Sequence, residues 1–211
     1  MLRINDNIET VSEDTLIAEM ALLPQWRRQE ALRYKHMTGR RESVMAFRLL
    51  QEMTGIRDLE FVIGEHGKPS IKGHPELHFN LSHCHCAVAC AVDDAPVGVD
   101  IERVGRYKRF LAECTLSDDE FHHIHYSSPD TSVPRPSAET DLLFTVLWTK
   151  KEALIKLLGI GIGSAEHIRN VLADYDGKVL FDTVVDKSGR YVCTEARFLS
   201  CAKLLMFGKK Q

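Results

Sequence analysis

The chain is predicted to be an α+β protein made of two similar lobes, on three observations. Amphipathic helical stretches precede strand-like runs. The same order then returns in the second half. With 211 residues, 44% hydrophobic and 27% charged, there is material for one large domain or two small lobes with buried cores. The join is placed near Gly105, giving an N-terminal lobe over residues 1–104 and a C-terminal lobe over 105–211. No residue-level repeat accompanies this order, so the duplication rests on element pattern alone.

The elements follow in sequence. "SEDTLIAEMALL" offers Ser12 as a helix cap and then apolar Leu16, Ile17 and Met20 at helical spacing. Pro24 begins a second helix expected to reach about His36. In the third, Ala46, Leu49, Leu50 and Met53 recur on one face, and Gly55 stops it. Strands are predicted at "LEFVI", "LHFNLS", "CAVACAV" and "VGVDIE", separated by the turn-rich "GEHGKPS" and "DDAP". A helix is then expected near "LSDDEF" and a long one from about Glu139 to Leu158. Strands at "KVLFDTVV", "RYVCTEARFL" and "KLLMFG" complete the second half. Between the two helices, "SSPDTSVPRPSAE" is rich enough in Pro, Ser and Thr to read as an irregular loop over residues 127–138.

Composition excludes some classes. A net charge of −3 and a pI near 6.4 give no global sign of a nucleic-acid or membrane binder. Locally, Arg27, Arg28, Arg33, Lys35, Arg40, Arg41 and Arg48 outnumber Glu30 and Glu42 between Trp26 and Arg48. That imbalance suits an anion, although a solvated basic face has the same composition. The opening "MLRINDNIET" lacks the apolar core of a signal peptide, and no apolar run is long enough to span a bilayer. Six scattered cysteines without framework spacing read as reduced thiols, so a soluble cytoplasmic protein is expected.

The chemistry-bearing residues fall in three stretches. In "VGVDIE", alternation puts Val97, Val99 and Ile101 on one face and Gly98, Asp100 and Glu102 on the other. Two neighbouring carboxylates repel unless a positive group lies between them. Gly98 marks a close approach by a ligand or another backbone. Carboxylate oxygens with room for water describe a magnesium site, while an exposed acidic strand end would look the same from sequence. In "LWTKKEALIK", Trp148, Glu152 and Lys156 form one helical row beside an inward stripe of Leu143, Leu147, Leu154 and Leu158. Glu152 is either half of a surface pair with Lys156 or a third carboxylate facing a cleft. In "LHFNLSHC", Leu77, Phe79 and Leu81 share one side and His78, Asn80 and Ser82 the other, with His83 at the strand end. Gly67-Lys68-Pro69 reads as a rigid turn presenting a lysine.

"GKPSI…FNLSH", then "VGVDIE", then "WTKKEALIK", in that order, resemble the 4′-phosphopantetheinyl transferase superfamily in its two-lobed form, across about residues 24 to 160. The resemblance implies a pseudodimer of two α+β lobes with the active site between them, complete in a monomer. It implies magnesium held by Asp100, Glu102 and Glu152, with Glu152 or a water beside it activating the attacking serine. Lys156 and His83, following Ser82, would hold phosphates of coenzyme A. Lys68 and Pro69 would lie against its adenine nucleotide end. Arg40, Arg41 and Ser43 correspond approximately to the basic element near the 3′-phosphate. The implied partners are coenzyme A and an apo acyl or peptidyl carrier protein, with the basic N-terminal helices and the 127–138 loop as candidate docking surface. Cys84 stands where a small hydroxyl residue is usual. The stretch after Gly163 carries no familiar motif.

Other classes use some of the same residues. A magnesium-dependent phosphodiesterase or nuclease would need the same three acids, and a non-enzymatic module could hold an acidic partner on the basic helices. "SHCHC" suggests zinc, but His83 and His85 alternate with Cys84 and Cys86 across strand faces and no C-x-x-C pair exists. "FHHIHY" at 121–126 places His122 and His125 on one helix face without a partner acid and is read as surface.

Overall fold

Leu2 and Ile4 alternate with Arg3 and Asn5, and this short run forms strand β1 (Leu2–Asp6), pairing antiparallel with the apolar β5 (Ala87–Asp93). The computed structural model describes residues 1–64, 67–128, 131–160, 170–172 and 178–199. After β1 come the helices α1 (Glu13–Ala21), α2 (Gln25–Leu32) and α3 (Met37–Thr54). The Ser12 hydroxyl accepts the Thr15 N–H at 3.1 Å and caps α1, while Gly55, left-handed at φ 72°, ends α3. The hairpin β2 (Phe61–Ile63) and β3 (Pro69–Ile71) leads to β4 (His78–Cys84), β5 and β6 (Val97–Arg103). The second half holds α4 (Arg109–Thr115), α5 (Asp118–His125), β7 (Tyr126–Ser128), β8 (Thr131–Pro134), α6 (Ser137–Leu158), β9 (Val179–Val185) and β10 (Tyr191–Phe198). The fold class is α+β.

Two three-stranded antiparallel sheets organise these elements, ordered β1-β5-β4 and β6-β10-β9. β5 is apolar on both faces because both are covered. Val88 and Cys90 join the core under α1–α3, with Leu16, Phe47, Leu50 and Phe79, while Ala87, Ala89 and Ala91 meet Val97, Val99, Ile101 and Cys193 between the sheets. Small residues on β5 leave room for the larger β6 side chains. A third core joins α6 to β9 and β10 through Phe144, Leu147, Leu154, Val179, Ala196 and Phe198. Full burial of each large apolar side chain contributes roughly 1.5–3 kcal/mol. Among the described residues no helix is long and apolar enough to cross a membrane.

Several elements differ from the sequence expectation. α2 stops at Leu32 instead of reaching His36, whose extended backbone (φ −98°, ψ 142°) instead starts α3. Residues 127–138 are not wholly irregular, since they include β8, part of β7 and the first residues of α6, with Tyr126 opposite Pro134 and Ser128 opposite Thr131. β3 and α4 are too short to give a periodic signal, and the five-residue alternation of β1 has no place among the expected strands. The expected strand "KLLMFG" lies outside the described residues. The join placed near Gly105 falls after β6, yet β6 is hydrogen-bonded to β10, so the strand belongs with the second sheet.

Candidate active site

β4 and β6 lie side by side and are tied through side chains. The Asn80 Oδ1 accepts the Val99 N–H at 2.8 Å, and the Ser82 hydroxyl donates to Asp100 Oδ1 at 2.9 Å. Thus the polar face predicted for "HFNLS" meets the polar face predicted for "VGVDIE". The opposite face of β6, Val97, Val99 and Ile101, is buried between the sheets as alternation requires.

Helix α6 lies across this strand pair at unusually short range, and Gly98 is the reason. A Cβ built there would run into the Ala153 carbonyl oxygen and the Leu157 nitrogen, and would stand 3.0 Å from Leu157 Cα. The close approach anticipated at Gly98 is therefore that of the α6 backbone. It brings Lys156 onto Asp100: the Lys156 Nζ donates to Asp100 Oδ1 at 2.6 Å, to the Ser82 hydroxyl at 3.1 Å and to the Val99 carbonyl at 3.1 Å. Asp100 is buried. One turn earlier on α6, Glu152 is half-buried and held above the usual carboxylate range by that burial and then by repulsion from Asp100. Lys156 acts in the opposite direction, and Glu102 adds a weaker repulsion.

Glu102 accepts from the Arg106 guanidinium at 2.6 Å and from the Arg103 N–H at 2.9 Å. It also borders a cavity of about 150 Å³ with Arg106, Leu111, Phe144, Thr145 and Trp148. The three carboxylates thus face two cations, Lys156 and Arg106, and repulsion from Asp100 adds to burial in raising the Glu152 pKa. Among the described residues no three acid, imidazole or thiol groups converge closely enough to chelate an ion. The donor chemistry nonetheless fits a hard divalent cation: every candidate ligand is a carboxylate, and the cluster is short of positive charge.

The remaining candidates are placed less centrally. His83 is half exposed, with Nδ1 3.3 Å from the Glu42 carboxylate on α3. Arg40 donates through Nε to the Tyr34 carbonyl at 2.8 Å, and the Arg41 Nε is buried without a hydrogen-bond partner among the described residues. Ser43 is buried and its hydroxyl accepts from Arg27 at 2.8 Å, which fixes it inside the helical layer. Pro69 lines a cavity of about 550 Å³ with Trp26, Phe61, Ile63, Gly67, Glu30 and Glu60. Lys68, next to it, does not point into that space. Its Nζ donates to the carbonyls of Lys156 at 2.6 Å and Val97 at 3.0 Å. His125 accepts from or donates to the Tyr107 hydroxyl at 2.7 Å and lies 2.7 Å from the Phe121 carbonyl through Nδ1, so it secures α5 locally.

Two supporting features escaped the sequence reading. Asn80 was placed on the polar face without a task, yet it joins the two sheets. The fully buried Glu120 accepts from Lys151, in the middle of "WTKKE", at 2.8 Å and from the Ser117 and Val171 N–H groups at 2.8 and 2.7 Å. The S-x-x-E spacing of Ser117 and Glu120 was a legible capping-box signal for the first part of that network.

The sequence model of the 4′-phosphopantetheinyl transferase superfamily matches residues 96–196, a span holding Asp100, Glu102, Glu152 and Lys156. The chain is similar to this superfamily across that span. Similar proteins include the 4′-phosphopantetheinyl transferase psf-1 of Bacillus pumilus, 35% identical over 64% of this chain and 58% of that protein. The 4′-phosphopantetheinyl transferase Sfp of Bacillus subtilis (strain 168) is 31% identical over 65% of this chain and 58% of its own length. The 4′-phosphopantetheinyl transferase AcpT of Escherichia coli (strain K12) is 34% identical over 64% of this chain and 66% of its own. The chain therefore spans a little over half the length of the Bacillus relatives it matches. The matched span includes the close contact of α6 and β6.

Proposed function

We propose that this chain transfers the 4′-phosphopantetheine group of coenzyme A to a serine hydroxyl of an apo acyl or peptidyl carrier protein. The observation that carries the reading is the convergence of Lys156, Ser82 and Asp100 beside Glu152, whose carboxyl is held by burial above the usual carboxylate range. In the transfer, the carrier serine oxygen attacks the phosphorus bearing pantetheine. The bond from that phosphorus to the bridging pyrophosphate oxygen breaks, and adenosine 3′,5′-bisphosphate leaves with the bonding pair. The serine proton passes to Glu152, directly or through a water.

Each residue has a task suited to its surroundings. Burial and then Asp100 raise the Glu152 pKa in the metal-free protein, the direction a general base needs, whereas a magnesium ion on the same carboxylate would lower it. Lys156 can exchange its bond to Asp100 for a phosphate oxygen while keeping the Val99 carbonyl. His83, at the end of β4 beside Glu42, would offer an imidazole to a phosphate, and Arg40 and Arg41 on α3 would offer guanidinium groups. Pro69 with Trp26 and Phe61 offers an apolar surface to a nucleobase, whereas Glu30 and Glu60 make that cavity unsuited to phosphate. Magnesium held by Asp100, Glu102 and Glu152 would neutralise pyrophosphate charge and align its oxygens. The basic helices α2 and α3 suit an acidic carrier surface.

The test is direct. The protein is incubated with coenzyme A, magnesium and a panel of apo-carriers, and the carriers are weighed. A gain equal to one phosphopantetheine group, abolished by chelator, supports the proposal. Release of the bisphosphate without any carrier modification would indicate a phosphodiesterase instead.

A further inference from the structure

Lys68 stands one residue after Gly67, whose positive φ of 82° turns the β2–β3 hairpin, and immediately before Pro69 opens β3. Its side chain leaves the hairpin and crosses to α6. There the Nζ lies 2.6 Å from the Lys156 carbonyl, 3.5 Å from the Leu157 carbonyl and 3.0 Å from the Val97 carbonyl of β6. An ammonium has three N–H donors, and these three acceptors match them. Lys156 and Leu157 belong to the last turn of α6, where carbonyls lack partners inside the helix and the helix dipole is negative. The Lys68 stem also runs against Gly159, the left-handed residue that ends α6: a Cβ there would touch Lys68 Cδ at 3.8 Å.

We infer that Lys68 is a positioning residue: it fastens the end of α6 to β6 through main-chain carbonyls, and so sets where the Lys156 ammonium reaches. One nitrogen holds both sides of the contact that Gly98 makes possible, since Val97 precedes Gly98 and Leu157 packs against it. Lys156 then spans the gap to Asp100, Ser82 and Val99. Displacement of such a group by about 1 Å can cost roughly 100-fold in rate. Burial lowers the Lys68 pKa to about 8, against an ordinary value of 10.5. The folded protein thus gives up this proton before the unfolded chain does. Stability must therefore rise with pH between those two values, and the neutral amine still donates to two carbonyls.

The kinetic part of this role rests on the transferase reading, whereas its structural part does not. The experiment compares wild type with Lys68→Met, Lys68→Arg and the control Lys72→Met, whose exposed ammonium pairs only locally with Glu60 on the same hairpin. Amide hydrogen exchange is followed across the last turn of α6 without any substrate. Transfer rates, coenzyme A affinity by calorimetry and melting between pH 8 and 10.5 are measured in parallel. Lys68→Met should accelerate exchange in that turn and lower kcat by about 10- to 100-fold, while weakening coenzyme A binding by less than Lys156→Ala does. It should also lose the alkaline gain in stability. Lys68→Arg should restore part of the rate, and Lys72→Met should match wild type. Unchanged exchange in Lys68→Met overturns the clamp, and unchanged exchange with weakened coenzyme A binding makes Lys68 a ligand contact instead. If wild type transfers nothing, the transferase reading falls while the exchange and melting results still decide the clamp.

Discussion

Two long helices lie on two sheets in this molecule, and they do so differently. α3 rests on β4 and β5 through side chains, with Val44, Phe47 and Leu50 meeting Phe79, Val88 and Cys90. α6 meets β6 backbone to backbone at Gly98. The first arrangement is a cushion of interchangeable apolar volume that builds stability and tolerates small adjustments. The second has no cushion, so the height and rotation of α6 are fixed and the side chains one turn apart on its edge are aimed at Asp100. Close backbone contact, more than the acids themselves, distinguishes the half that holds the candidate site.

The largest effect should come from removing that difference. Gly98→Val must lift α6, and transfer should fall by at least roughly 100-fold, because Lys156 and Glu152 leave their places together. On the cushioned side, Leu50→Ala should cost about 2–5 kcal/mol of stability while the molecules that remain folded turn over normally. Melting curves and rates measured on the same two variants break the comparison if Gly98→Val is as active as Leu50→Ala. A smaller effect is expected of Lys156→Ala: coenzyme A affinity should weaken by roughly 1.5–3 kcal/mol, the worth of a charge-assisted bond to phosphate. Isothermal titration checks it. The smallest belongs to Arg40 and Arg41 on the first turns of α3. Replacing both with Ala should reduce discrimination between coenzyme A and its 3′-dephospho form, with turnover on the dephospho form unchanged. Equal discrimination in variant and wild type removes the 3′-phosphate from that turn.

Much of this was legible in the sequence because it is periodic. The alternation in "VGVDIE" gave both faces of β6, the run "CAVACAV" gave a strand covered on both sides, and the leucine stripe of "LLFTVLWTKKEALIKLL" gave the buried face of α6. Partners across the fold were not legible, since spacing along one element carries no information about another. The i,i+4 order of Glu152 and Lys156 pointed to a pair on one helix, but Lys156 turns to the more deeply buried Asp100, 56 residues away in sequence. His83 looked free to meet a ligand and stands beside Glu42. Lys68 looked like a lysine offered on a turn, whereas its aliphatic stem lets it cross to carbonyls 88 residues distant. Charged side chains with long stems are the least predictable in this respect, because their heads can travel several ångströms from the backbone that carries them.

Glu152 decides whether the contact of α6 and β6 is an active site or only a tightly packed corner. Its pKa is raised in the folded protein, so folding binds a proton there that the unfolded chain has already released. That contribution to stability is complete below the ordinary carboxylate value near 4.5 and is lost as pH rises through the folded value. Glu152→Gln should therefore melt at the same or a higher temperature than wild type near neutral pH without added metal, with a flatter acid-side profile. The deciding measurement is the rate at which this variant, with coenzyme A and magnesium, adds phosphopantetheine mass to an apo-carrier that wild type modifies. A drop of roughly 10²–10⁴-fold, with stability kept or raised, is the predicted result for a positioned proton acceptor. A wild-type rate in Glu152→Gln would contradict the account.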